Sequence, residues 1–300
     1  MPSATVESPT GFYPYQGYAC AYDYLPSLDS NNTPPLLLIH PIGVGLSRLF
    51  WNRFCQEWRR VGHPHPIYNP DLLGCGASAM PRVAYTPLDW AKQLRHFLTE
   101  VVPQPVVICV QGALLPVAIE LTTLQPDRVL GLVLCGPPAW RLVTRDTPAW
   151  QHRFSWSIFD SPLGTLFYQY ARRSQFLRSF SARQLFAAEA GVDEEWLEQL
   201  QQGAQDSHSR YAVFSFLAGF WRQDYQAKMA AIAQPTLIVL GDQASSISRE
   251  GKQETLDTRI ADYVNGFPQG ESVTIPGRNV LAYESVQEFV AVVAPFVARF

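Results

Sequence analysis

The order of apolar segments along this chain predicts an α/β fold: a mostly parallel central sheet flanked by helices, with a helical cap inserted between two strands. Three observations carry the prediction. Short continuous apolar runs recur, stretches of helical spacing separate them, and the strand signals stop between residues 137 and 233. A strand covered on both faces needs no polar alternation, so LLLIH at 36–40 reads as a buried strand of a parallel sheet. The following SRLFWNRFCQEWRR sets its large residues at helical spacing and completes a first β-α unit.

The pattern repeats. PIYNP around Ile67 is a second strand, and a helix opens at Thr86 with Pro87 at its first position and Asp89 in its first turn. Those residue types suit a helix start, where free N–H groups take side-chain oxygens and negative charge. VVICV at 106–110 is the next strand, followed by an apolar helix through Glu120, and VLGLVLC at 129–135 follows. PVVICVQGALLPVAIEL approaches the length of a membrane span, but Gln111, Gly112 and Pro116 interrupt it, and strand, turn and helix explain it better. TLIVL at 236–240 and SVTI at 272–275 finish the strands, and a helix runs from about 284 to 299. The expected division is a core in two parts, residues 1–137 and 234–300, around a cap at 138–233.

Composition excludes several classes. A net charge of −3 without any long basic run argues against a nucleic-acid partner. Five widely spaced cysteines without a CxxC pair argue against a disulfide framework and a zinc site, so most read as small buried hydrophobes. His63 and His65 in GHPHP have a spacing that suits a metal, but prolines and the lack of neighbouring ligands favour a surface loop. Neither metal nor other cofactor is expected. The start, MPSATVESPTG, lacks the basic and apolar parts of a signal peptide and reads as a flexible lead, which points to the cytoplasm.

Three local motifs narrow the fold. HPIGVG stands at 40–45, DLLGCGAS at 71–78, and PTLIVLGD at 235–242 leads to IPG at 275–277. Together they resemble the α/β-hydrolase superfamily over residues 36–300. HPIGVGLS and NPDLLGCG are also similar to a branch of uncharacterised α/β-hydrolase-like proteins of cyanobacteria and plastids. The resemblance implies an oxyanion-hole loop at His40, a nucleophile in G-x-S-x-G on a sharp strand-to-helix turn, an acid past the 236–240 strand and a histidine past IPG.

The chain departs from that pattern at each catalytic position. It reads VQGAL at 110–114, with Gly112 in the serine's place and no Ser, Cys, Thr or Asp from 110 to 116. A residue without Cβ suits the strained turn, so the elbow can outlive its chemistry. Counting from Gly241 puts Ala244 at the acid position, with Asp242 as the alternative if the register slips. Val280 takes the histidine's position, and no histidine follows His208. Losing the nucleophile or base alone costs roughly 10⁶ in kcat, so ordinary ester, amide or thioester hydrolysis is not expected.

The leading expectation is therefore a non-catalytic protein that binds a hydrophobic small molecule or a protein partner. The candidate ligand contacts are His40, Ile42, Gln111, Gly112 and Ala113, with the N–H groups of Ile42 and Ala113 as remaining oxyanion donors. Two readings stand open there: a preserved pocket, or a site filled by Val110, Leu114 and Leu115. His40 itself suits a turn-shaping role, and Cys75, Ser78 and Cys109 read as structural. The rival classes are an enzyme using His40 or Asp242 with a bound water, and a structural subunit docking on a membrane complex.

The cap holds 18 of the chain's 38 aromatic residues between Trp140 and Tyr225, more than an even spread would give, which fits either a cap core or a binding face. FYQYARRSQFLRSFSARQLF at 167–186 interleaves aromatics with Arg172, Arg173, Arg178 and Arg183 and contains no acid. Such a face suits an acidic partner, an amphiphilic ligand or peripheral contact with an anionic membrane.

Overall fold

The computed structural model describes residues 10–28, 33–248 and 250–300. Eight strands form one sheet: β1 (Gly11–Tyr15), β2 (Tyr18–Leu25), β3 (Leu36–Ile39), β4 (Ile67–Pro70), β5 (Val106–Gln111), β6 (Val129–Cys135), β7 (Thr236–Gly241) and β8 (Gly270–Ile275). Their order is β1-β2-β4-β3-β5-β6-β7-β8; β2 runs antiparallel to both its neighbours and the remaining pairs are parallel. The expected mostly parallel sheet is therefore present.

The apolar runs are strands because both sheet faces are covered. In β5, Val106, Ile108 and Val110 enter one core while Val107 and Cys109 enter the other. Side chains alternate across a strand, so a run buried on both faces must be apolar throughout. One face packs α2 (Pro87–Glu100) and α3 (Leu115–Leu124) with residues of α10 (Leu256–Gly266); the other packs α1 (Asn52–Arg60) and α12 (Val286–Val297). Thr86 caps α2 as expected: its hydroxyl accepts the Asp89 N–H, and the Asp89 carboxylate accepts the Thr86 N–H.

Some boundaries differ from the sequence expectation. The first helix is preceded by a 3₁₀ turn at Arg48–Trp51, and the last divides into α11 (Leu281–Glu284) and α12. The hairpin β1–β2 is absent from the sequence expectation. Gly11 belongs to it, and Thr10 just before it bonds Asp23 and Arg48; residues 1–9 of the expected flexible lead lie outside the described residues. Gln16 and Gly17, both at positive φ, make its two-residue turn. GHPHP is not simply a surface loop: His63 lies 4.3 Å from the Trp58 ring centroid, and buried His65 bonds the Pro34 carbonyl through Nδ1 at 2.9 Å.

Between β6 and β7 the regular elements are helical: α4 (Ala149–Phe159), α5 (Pro162–Ala171), α6 (Ser174–Gln184), α7 (Glu194–Gly203), α8 (Arg210–Leu217) and α9 (Gln226–Ala230), with short 3₁₀ turns. The cap is bolted to the core. Asp193 caps α7 at the Trp196 N–H, pairs with Arg53 at 2.5 Å and accepts the Tyr283 hydroxyl at 2.9 Å. Gly45 and Gly203 cross so closely that a Cβ on Gly203 would lie 2.1 Å from the Gly45 carbonyl oxygen. Glycine at both positions lets α7 rest directly on the loop after β3.

Candidate functional site

β5 ends in a sharp turn at Gly112, whose φ of +61° lies in the left-handed region, and a 3₁₀ turn then leads into α3. A non-glycine residue there would be strained. Space is not the obstacle, because a Cβ built on Gly112 would have the Gly136 carbonyl, 3.9 Å away, as its nearest contact. The nucleophile is thus missing by residue identity, while the backbone that would present it is retained. Gly112 and Ala113 are half-buried, and Gln111, Leu114 and Leu115 are buried.

The acid position is equally bare. Ala244 packs against the core, while Asp242 is exposed and accepts the Gly277 N–H at 3.1 Å, which ties the loop after β7 to the loop after β8. At the histidine position, Val280 is buried in the core formed with α1 and α12.

Asn279 joins these loops. Its carbonyl accepts the Gln111 Nε2 amide at 2.8 Å, its Nδ2 donates to the Gln184 carbonyl at 2.8 Å, and its N–H donates to the Leu185 carbonyl at 3.1 Å. Its Oδ1 accepts the Ser245 N–H at 3.3 Å. Beside it, Arg278 bonds Ser245 and the Arg183 carbonyl, and Glu284 accepts the N–H groups of Arg278 and Ala187. One residue therefore couples the elbow, the loops after β7 and β8, and the cap. Sequence reasoning missed Asn279 and Arg278, because neither carries a signal without its three-dimensional partners. Gln111 keeps one buried acceptor, Oε1, with no protein partner. An unmatched buried acceptor beside the elbow is costly unless something donates to it.

His40 is fully buried, with Nδ1 2.7 Å from the Pro41 carbonyl and Nε2 accepting the Leu72 N–H at 3.1 Å. That pattern fixes a neutral ring with its proton on Nδ1, and burial holds its pKa below the usual histidine value. Both nitrogens serve the backbone. Ile42 is buried in the core on the loop after β3, while half-buried Ala113 stands at the elbow.

The DLLGCGAS turn is a structural knot. Asp71 is fully buried and accepts the N–H groups of Arg48 and Ala77, both at 2.8 Å, and the Arg48 guanidinium, which also pairs with Asp23 at 2.7 Å. Burial opposes the Arg48 charge, but the two carboxylates outweigh it and raise its pKa. Ser78 donates to the Asp71 carbonyl and accepts the Ala21 N–H, so its oxygen is engaged. All five cysteines are free and buried; burial raises each thiol, Cys20 to about 11 and Cys135 to about 12, which leaves them unreactive at neutral pH. Among the described residues no group of three His, Cys, Asp or Glu side chains is placed to hold a metal ion.

The arginine segment divides between α5, α6 and the link between them. Arg173 lies 5.7 Å over the Tyr170 ring, Arg172 reaches the Gln205 carbonyl at 3.4 Å, and Arg183 bonds the Ser179 carbonyl of its own helix. Arg178 is paired with Glu194 at 2.5 Å, so an acid from outside the segment neutralises it. The charge segregation read along the chain is only partly kept in space.

The strand order, the strand-turn-helix elbow and the loops gathered above it define an α/β-hydrolase fold. The Alpha/beta hydrolase family profile matches residues 36–292, and the chain belongs to that family. Its fold is similar to that of a thermophilic esterase from Thermogutta terrifontis, at 18% identity and TM-score 0.73 over 97% of this chain and 99% of that one. It is also similar to the enol-lactonase from Burkholderia xenovorans, at 13% identity and TM-score 0.71 over 96% and 100%. A hydrolase from Pseudomonas aeruginosa matches at 18% identity and TM-score 0.69 over 97% and 99%. No curated protein sequence matches the chain. No helix among the described residues is long and apolar enough to cross a membrane.

Proposed function

We propose that this chain is a non-catalytic member of the α/β-hydrolase family that binds a hydrophobic small molecule above the sheet, at the elbow beneath the cap. The observation that carries the reading is Gly112 itself: an intact elbow backbone with room for a side chain and no nucleophile on it. The two groups best placed in sequence to replace the missing base are already engaged, His40 with two backbone groups and Asp242 with the Gly277 N–H. The esterase and the enol-lactonase share the fold at identities that speak for the fold alone.

A ligand held there meets the unmatched Gln111 Oε1, which asks for a donor, and the N–H groups of Ile42 and Ala113, which suit a carbonyl or carboxylate oxygen. A protein segment with the same polar end is the alternative occupant.

Two measurements test the reading together. Fluorophosphonate probes and short nitrophenyl esters are expected to give no covalent labelling and no turnover above buffer. Native mass spectrometry of the purified protein is expected to show a retained small molecule that Ala113→Phe, which adds bulk beside the elbow, loses without unfolding. Stoichiometric labelling at a serine overturns the non-catalytic half; a bare mass in every preparation overturns the ligand.

A further inference from the structure

The outer face of the cap is not finished as a soluble surface. Sixteen large apolar side chains are exposed among the described residues, and seven of them lie between Trp150 and Tyr170. The four most exposed of all are in that group: Leu163 at 70%, Leu166 at 67%, Trp150 at 65% and Phe154 at 63%. On α4, Trp150, Phe154 and Ile158 recur every fourth residue and form one stripe, while His152, Trp156 and Phe159 turn inward. On α5, Leu163, Leu166, Phe167 and Tyr170 follow the i, i+3, i+4, i+7 pattern of a helix face, while Gly164, Tyr168 and Ala171 are buried.

The stripes lie on neighbouring helices. Phe167 of the α5 stripe has its ring centroid 6.4 Å from that of inward-turned Phe159 on α4, and Tyr170 carries the surface onto α6 through Phe176 at 5.3 Å. A contiguous apolar face of this size on a soluble domain marks an interaction surface.

The charge around the face selects its partner. From Arg141 to Arg173 the chain has five arginines and two aspartates, within a protein of net charge −3. Asp160 is paired with Arg82, and Asp146 accepts the Asp224 N–H. Arg141, Arg145 and Arg153 have no acidic partner among the described residues. Arg141 and Arg145, with Arg222, Asp146 and Glu250, line an open cleft of about 520 Å³ that reaches Pro148 and Gln151, the same helix turn as Trp150. At the other end of the face stand Arg172 and exposed Arg173. Apolar side chains rimmed by arginine, with Trp and Tyr among them, match the boundary between headgroups and acyl chains of an anionic bilayer. A protein groove of matching shape would need acidic residues around an apolar floor; the bilayer offers both over any area.

We propose that the α4–α5 hairpin docks this protein peripherally on anionic membranes, with Trp150, Phe154, Leu163 and Leu166 entering the interface and Arg145, Arg153, Arg172 and Arg173 facing lipid phosphates. The proposal does not depend on whether the elbow holds a ligand.

Vesicle flotation with the full chain tests it. Vesicles of phosphatidylglycerol and phosphatidylcholine are expected to carry the protein, and vesicles of phosphatidylcholine alone are expected to carry far less. Salt weakens the first, because the screening length falls from about 10 Å at 0.1 M to about 3 Å at 1 M. The double variant W150S/F154S and the double variant R153E/R173E are each expected to reduce binding by roughly tenfold or more, with melting temperatures unchanged because all four side chains are exposed. Equal binding to both vesicle types, no flotation at all, or variants that float like the parent overturn the proposal. A concentration-dependent dimer that W150S/F154S abolishes also overturns it, and assigns the face to a second copy of the chain.

Discussion

Around Gly112 the polar groups that hold the loops are bonded and the positions of the catalytic residues are bare or apolar, whereas on the α4–α5 hairpin Trp150, Phe154, Leu163 and Leu166 face solvent. The first region spends its hydrogen bonds on shape: His40, Asp71, Asn279 and Arg278 each link segments distant in sequence. The second gives up burial that a soluble protein would use. The elbow backbone without a nucleophile and the surface left unburied are the observations on which the two proposals rest. The comparison also separates two kinds of residue by consequence, since removing a buried polar link leaves its partners stranded while trimming an exposed side chain strands nothing.

That difference can be broken or sharpened by substitution, and the largest effect is expected at the Asp71 knot. Asp71→Ala leaves the largely buried Arg48 with Asp23 as its one carboxylate partner, and should cost about 3–5 kcal/mol in urea unfolding. A loss within the range of surface variants would mean that water replaces the carboxylate and that the knot is not structural.

Asn279→Ala removes the bonds to the Gln184 carbonyl and the Ser245 N–H, with an expected cost of about 1–3 kcal/mol. Hydrogen exchange should accelerate at the end of α6 and in the loop after β7 more than in β5. Uniform acceleration across the sheet would deny Asn279 its coupling role.

Gly112→Ser tests form against chemistry at a single atom. The left-handed backbone should cost about 1–2 kcal/mol, and ester turnover should stay at the buffer rate because Val280 offers no base. An efficient esterase from this one change would mean that a base elsewhere reaches the elbow.

Proton linkage gives a smaller effect with a definite sign. Burial lowers the pKa of His40 in the folded chain, so below about pH 6.5 the unfolded chain binds a proton that the folded chain refuses, and stability falls as the pH falls. His63 and His152, also lowered by burial, add slope of the same sign. Urea titrations between about pH 7 and 5 should show His40→Gln flattening that slope by up to about 1.4 kcal/mol per pH unit, whatever it does to the absolute stability. An unchanged slope would mean that His40 takes up its proton in the fold as readily as in the unfolded chain. Smallest of all, Trp150→Ser should alter stability by no more than about 0.5 kcal/mol, since the side chain is 65% exposed.

Much of this was legible along the chain. The continuous apolar runs marked β3 and β5 to β7 because a two-sided sheet leaves no polar face to interrupt them, and Thr86, Pro87 and Asp89 marked the start of α2 by local chemistry alone. The missing nucleophile and histidine were legible too, since an absence from a short motif needs no coordinates. The hairpin β1–β2 carried a readable sign in its Gln16-Gly17 turn that its weak alternation hid. His65 was misplaced because proline-rich spacing says nothing about the Trp58 ring it packs near.

What the sequence by itself determined is thus the fold class, the helical stretch between β6 and β7, and the absence of a serine at position 112 and of any histidine after His208, each fixed by local spacing or by the identity of single residues. The tertiary structure alone decided that Gly112 keeps the elbow's left-handed backbone, that Asn279 binds four segments together, that Glu194 neutralises Arg178, and that the exposed apolar face lies on α4 and α5, overlapping the arginine segment only at Phe167 and Tyr170. The physical reason is common to all four. Burial and pairing are relations between residues far apart in the chain, and helical spacing marks which residues share a face without saying whether that face turns to the core or to solvent.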